Sequence, residues 1–166
     1  MGAQCSDRDA LESLLRAVQP SLRGYVARLV GAQDADDVVQ EVFVTICRKL
    51  AWLQDPALFR PWMYRIATRT AFRHLKKARR YVEEPLDAIV DSMTALEDQP
   101  SDEDLRRLLG SDALSLASRA VIVLHFQEEM TLVEIAAVLE IPLGTVKSRL
   151  AFGLATLRKE ITSRRV

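Results

Sequence analysis

Apolar residues recur along this chain at intervals of three and four, and no strictly alternating run survives between turn signals, which predicts helices almost throughout. Leu11, Leu14, Leu15 and Val18 form one stripe and Leu22, Tyr25, Val26 and Leu29 a second, with Pro20 expected to break or kink the path between them. After a turn at Gly31, Asp34 is placed to cap a helix whose buried face is Ala35, Val38, Val39, Val42, Phe43, Ile46 and Leu50. Its other face is Asp36, Asp37, Gln40, Glu41, Thr45, Arg48 and Lys49. Trp52 to Asp55 make a short connection, and Asp55-Pro56 signals the next helix start. That helix carries the stripe Phe59, Trp62, Met63, Ile66 and Thr70, which is lost where Arg73 and Lys77 stand at core spacing. The basic end is therefore expected to project from the packed body, with Trp62 in the core and Tyr64 and Phe72 exposed.

Residues 83–99 are acidic, contain Pro85 and show only weak periodicity, the composition of a flexible linker. A second helical unit starts near Pro100-Ser101, carries Leu105, Leu108 and Leu109, stops at Gly110 and resumes with Leu116, Ala120, Val121, Val123 and Leu124. Thr131 followed by Glu134 is a capping box, so a helix begins there and carries Ile135, Ala136, Val138 and Leu139 to Glu140-Ile141-Pro142. Gly144-Thr145 opens a further helix over 146–157. Two short helices across a tight turn, the second with Lys147, Ser148 and Arg149 in its first turns, have the layout of a helix-turn-helix. A plain helical hairpin with solvated basic residues is the alternative. Gly153, inside the second helix, permits close packing at a cost of about 1 kcal/mol relative to alanine.

Composition changes this picture in two ways. The 23 basic and 23 acidic residues cancel, but they are segregated. Arg60, Arg65, Arg69, Arg73, Lys76, Lys77, Arg79 and Arg80 occur with no carboxylate among them, and Glu83 to Asp104 then carry nine carboxylates and no base; the runs alone suit a solvated helix face and a nucleic-acid partner equally. Cys5 and Cys47 have no CxxC or histidine cluster about them, so no metal site or disulfide is expected, and Cys47 reads as a small buried residue. There is no glycine-rich phosphate loop and no recognisable triad. No catalytic residue, cofactor or small-molecule substrate is expected, and His74 and His125 read as ordinary surface or partly buried histidines. No membrane span or secretory signal is legible, so a cytoplasmic protein is expected.

On those residues a resemblance becomes specific. Thr131-Leu-Val-Glu-Ile-Ala-Ala-Val-Leu139 with Ile141-Pro-Leu-Gly-Thr-Val-Lys-Ser-Arg-Leu150 resembles the fourth domain of extracytoplasmic-function (ECF) sigma factors, which binds the promoter minus-35 element, and Arg119, Val121 and Leu124 match the preceding helix. Asp34-Ala-Asp-Asp-Val-Val-Gln-Glu-Val-Phe43 resembles the segment that docks on the β′ clamp helices of RNA polymerase. Trp62-Met-Tyr-Arg-Ile-Ala67 with its basic tail resembles the segment that melts and reads the minus-10 element.

The resemblance implies an all-α chain of two small helical domains, 1–82 and 100–166, joined by the acidic linker 83–99, without the family's first-domain extension or third domain. It implies an alternative sigma factor that directs promoter-specific initiation. Its partners are core RNA polymerase (β′ clamp helices and β subunit), promoter DNA in double- and single-stranded form, and an anti-sigma factor. Asp37, Gln40 and Glu41 are the expected polymerase contacts. Tyr64, Arg65, Arg69, Phe72, Arg73, Lys76, Lys77 and Arg80 are those to minus-10 DNA. For minus-35 DNA, Thr145 and Arg149 are expected on phosphates and Lys147, Ser148, Ala151 and Phe152 toward the groove floor, with a core position against Leu139 the equal alternative for Phe152. This chain has Arg69 where the family usually has asparagine, Arg73 where aspartate is frequent, and Phe152 where arginine is common. A stand-alone helix-turn-helix regulator is the competing reading; it would be expected to dimerise on a two-fold site.

Overall fold

The computed structural model describes residues 8–78, 109 and 114–164, and among them every regular element is helical. We number the helices α1 (Arg8–Val30), α2 (Ala32–Lys49), α3 (Phe59–Lys77), α4 (Leu116–Phe126), α5 (Leu132–Leu139) and α6 (Leu143–Arg164); short 3₁₀ turns at Leu50–Trp52 and Pro56–Leu58 connect α2 to α3. They fall into two units, one built on α1 to α3 and the other on α4, α6 and residues 132–136. The acidic segment 83–99, the start at Pro100-Ser101 and the stop at Gly110 lie outside the described residues.

In the first unit α1 does not break at Pro20. Pro20 is exposed, while Leu22, Tyr25, Val26 and Leu29 beyond it are buried, so packing of the second half holds a helix that lacks one amide. The earlier stripe, Leu11, Leu14, Leu15 and Val18, is only half-buried. Gly31 alone joins α1 to α2: its amide donates to the Ala27 carbonyl at 2.9 Å, and its φ of 93° lies where an L side chain is strained. The next helix consequently starts at Ala32, three residues ahead of expectation, and Asp34 sits in its first turn instead of capping it. There its charge still complements the helix dipole. Ala35, Val38, Val39, Val42, Ile46 and Leu50 are buried as the pattern requires, and Phe43 is half-buried. Cys47, expected inside, is exposed, because it lies three residues from Val44 and seven from Gln40 on the solvent stripe.

The connection to α3 forms as its residues predict: the Asp55 carboxylate accepts from the Ala57 amide at 2.9 Å, and Pro56 opens the turn. Within α3 the buried face differs from the expected one. Phe59, Met63 and Thr70 are buried, but Trp62 and Ile66 are only half-buried. The core face runs instead through Tyr64, Ala67, Thr68, Ala71 and Leu75, so the basic end does not leave the packed body. Small residues let α3 approach α1 and α2 closely, and that brings Tyr64 to 0% exposure. Its ring stands edge-on to Tyr25 with centroids 5.1 Å apart. The Tyr25 hydroxyl donates to Thr68 Oγ1 at 2.7 Å, and Thr68 donates onward to the Tyr64 carbonyl at 2.7 Å.

In the second unit Ser115 caps α4, its hydroxyl accepting from the Ser118 amide at 3.1 Å. Leu116, Ala117, Ser118, Ala120, Val121, Ile122, Val123 and Leu124 are all buried, which makes α4 the centre of the unit, with α6 packed on it. A β-carbon at Gly153 would lie 2.4 Å from Ile122 Cδ1, so this glycine is what lets α6 and α4 approach. The capping box at Thr131 and Glu134 is formed in both directions. One residue in the left-handed conformation, Glu140, ends α5 and turns the chain into α6. That last helix starts at Leu143 and continues to Arg164, past the expected end at Leu157.

Candidate nucleic-acid interface

On α2 the exposed stripe is Asp37, Gln40, Glu41, Val44 and Cys47, the positions that three- and four-residue spacing sets opposite the buried valines. The expected polymerase contacts Asp37, Gln40 and Glu41 are therefore on one face. The flanking carboxylates have intramolecular partners. Asp36 receives both Arg23 Nε at 2.6 Å and Arg23 Nη2 at 3.2 Å, a forked pair between α2 and α1. The hydrogen bond from Arg23 holds the Asp36 carboxyl below its ordinary pKa and raises that of the guanidinium. Asp34 faces His74 Nε2 of α3 at 3.3 Å, and Glu41 is bonded to the Arg73 guanidinium, two contacts that no spacing in the sequence announces.

Arg65, Arg69, Phe72, Arg73 and Lys76 recur at four, seven, eight and eleven residues along α3 and share a face, with Lys77 beside it. Arg69, Arg73, Lys76 and Lys77 are exposed; Arg65 and Phe72 are half-buried. Tyr64 departs from the expectation. One position along from Arg65, its side chain turns into the core, and no atom of it is on the surface to meet DNA. Arg60 lies over its ring, 5.8 Å from the centroid. Arg80 lies outside the described residues. Trp52, left in a short connection by the sequence pattern, is 75% exposed, the most exposed of the large apolar side chains described.

On α6 the buried residues Val146, Leu150, Gly153 and Leu154 define the inner face. Ser148, Ala151 and Phe152 point away from it and are half-exposed; exposed Lys147 borders it on one side, three residues before Leu150, and half-exposed Arg149 borders it on the other, with Thr145 beyond. Ser148 donates its hydroxyl proton to the Gly144 carbonyl at 3.0 Å, which leaves its oxygen as an acceptor on that side. A helix that starts at a tight turn and shows a cation on its outer face in the first turns has the geometry of a major-groove reader. In α4 His125 lies in part against the backbone, its Nδ1 3.0 Å from the Met130 carbonyl.

Comparison with known proteins matches these two units separately. The Sigma-70 region 2 family corresponds to residues 14–81 and the Sigma-70 region 4 family to residues 112–159. The ECF RNA polymerase sigma-E factor of Escherichia coli K12 is 33% identical over an alignment of 160 positions, gaps included, that covers 89% of this chain and 84% of that one. The chain is an ECF sigma factor. A second ECF sigma factor, SigW of Bacillus subtilis strain 168, is 29% identical over an alignment of 171 positions, gaps included, that covers 93% of this chain and 90% of its own. Two solved structures share the sigma-factor fold. RpoE, in complex with the anti-sigma factor NepR from Bartonella quintana, matches with a TM-score of 0.70 at 21% identity over 91% of this chain and 96% of that one. CnrH, in complex with the cytosolic domain of CnrY, matches with a TM-score of 0.66 at 24% identity over 98% and 94%. As an ECF sigma factor the chain is an alternative sigma subunit that directs transcription initiation, and α5 and α6 are its DNA-binding helix-turn-helix.

Proposed function

We propose that this sigma factor docks on the β′ clamp helices of core polymerase through Asp37, Gln40 and Glu41 and carries two DNA-reading surfaces. Arg65, Arg69, Phe72, Arg73, Lys76, Lys77 and Arg80 work on the minus-10 element, and α6 on the minus-35 element, with the second unit engaging the β subunit. Functional boundaries at 1–82, 83–99 and 100–166 go with this division. The protein acts in the cytoplasm, contributes no catalytic group or cofactor of its own, and is held in reserve by an anti-sigma factor, a reading supported by the structural relative solved with its anti-sigma factor NepR.

The observation that carries the reading is the outer face of α6. Ser148, Ala151 and Phe152 lie away from the residues that bury the helix, and exposed Lys147 stands at the edge of that outer face, so all four reach a groove without disturbing the core. Lys147 supplies a donor for a guanine edge and Phe152 an apolar surface for a thymine methyl. Thr145 and Arg149, to one side, suit phosphates and set register.

In vitro transcription with core polymerase over a promoter library tests the division of labour. Lys147→Ala relaxes preference at one or two minus-35 positions, a loss of about 1–3 kcal/mol of discrimination. Arg149→Ala weakens all promoters alike and lowers the salt slope by about one phosphate. The reverse pattern overturns the assignment.

A further inference from the structure

Two surfaces with different proposed partners touch each other within the first unit. Glu41, on the docking face of α2, is ion-paired with Arg73, on the DNA face of α3, and both side chains are about half exposed. Next along α3, His74 reaches Asp34 at 3.3 Å. The basic end of α3 is thus held to the acidic side of α2 at two successive residues, while Arg23 takes Asp36. A guanidinium against a carboxylate shows little net charge to a phosphate, and the carboxylate shows as little to a cation.

We infer that Glu41 and Arg73 occupy each other in the free protein, and that docking on polymerase draws Glu41 onto a basic partner and releases Arg73 for a phosphate of minus-10 DNA. Holoenzyme assembly then raises DNA affinity through this pair, and by linkage DNA raises polymerase affinity by the same factor. The inference rests on the reading that α2 docks polymerase and α3 contacts DNA. An exposed pair is weak enough to be given up to a better partner, and its strength limits the coupling to about fivefold.

The test uses the full chain, free and assembled with core polymerase, with Glu41→Gln, Arg73→Gln and the double variant. In the free chain at low salt, Glu41→Gln raises affinity for double-stranded minus-10 DNA by about two- to fivefold and steepens the salt slope toward one more phosphate. In the Arg73→Gln background the same change gives no such gain. Arg73→Gln weakens DNA binding more in the holoenzyme than in the free chain. An equal gain from Glu41→Gln with or without Arg73 overturns the coupling, because simple loss of a negative charge then accounts for it. If Glu41→Gln lowers core affinity and Arg73→Gln lowers holoenzyme affinity for the promoter, while their free-chain effects multiply, the surface assignments stand and the coupling alone fails. If neither single variant changes its own partner's affinity, the assignments fail and the coupling falls with them.

Discussion

Adding one methyl group at Gly153 is expected to loosen the second unit, and the reason can be isolated by a second change. The new β-carbon would stand 2.4 Å from Ile122 Cδ1, 3.3 Å from its Cγ1 and 3.6 Å from Leu114 Cδ2. Carbon atoms rest at about 3.5–4.0 Å, so the terminal methyl of Ile122 must move by more than an ångström's worth of overlap. Ile122 is fully buried, and overpacking of this kind costs about 1–3 kcal/mol. Alanine in a helix returns about 1 kcal/mol of propensity, which leaves a net loss of about 0–2 kcal/mol. Ile122→Val removes the offending atom for about 0.5–1.5 kcal/mol. In that background the propensity gain outweighs the remaining crowding at Cγ1, and Gly153→Ala becomes stabilising. Amide hydrogen exchange over α4 and α6 measures each variant. Both tryptophans, Trp52 and Trp62, belong to the first unit, so their fluorescence transition in urea serves as an internal control. Effects of Gly153→Ala that agree within about 0.5 kcal/mol in the two backgrounds would refute the contact as the reason for the glycine.

Thr68→Val removes the acceptor of the buried Tyr25 hydroxyl and is expected to cost about 1–3 kcal/mol, much of it recovered by adding Tyr25→Phe, as urea denaturation followed by tryptophan fluorescence would show. Because Arg23 lowers the pKa of Asp36, the pair contributes stability above the unfolded carboxyl's pKa and loses it as pH falls through the lower folded value. The stability difference between the native protein and Asp36→Asn should therefore be level at neutral pH, close below about pH 4, and shrink in high salt; a gap that persists in strong acid would contradict the assignment. Asp37→Ala should weaken binding to core polymerase while changing stability by no more than about 0.5 kcal/mol, with helical circular dichroism unchanged.

The elements that could be read from the sequence are those in which large side chains carry the burial or a polar side chain closes a helix end. The valines of α2, the Asp55-Pro56 start and the Thr131–Glu134 box follow directly from residue type and spacing. What escaped depends on small residues and on distance in the chain. Counting bulky positions in α3 selects Trp62 and Ile66, whereas the close approach of helices is made at Ala67 and Ala71, and it rotates Tyr64 inward. Pro20 argues for a break only if its neighbours are weighed alone; the burial of Leu22 to Leu29 outweighs it. On α6 the outward phase of Ser148, Ala151 and Phe152 was legible because a well-marked turn fixes it. The Glu41–Arg73 and Asp34–His74 contacts were not, since each joins residues more than thirty positions apart.

The single-residue corner at Gly31 sets a limit on how sequences of this kind can vary in length. Nothing within 4 Å would obstruct a β-carbon there, so the position is held by its φ of 93° and not by crowding. One inserted residue would turn α2 by about 100° relative to α1, carrying Val38 and Val42 toward solvent and Asp37 toward the core. Point changes at the corner can be absorbed at the cost of strain, but insertions and deletions cannot. Chains that keep this packing of α2 on α1 should therefore preserve the number of residues between Val26 and Val38 even where the residues themselves drift.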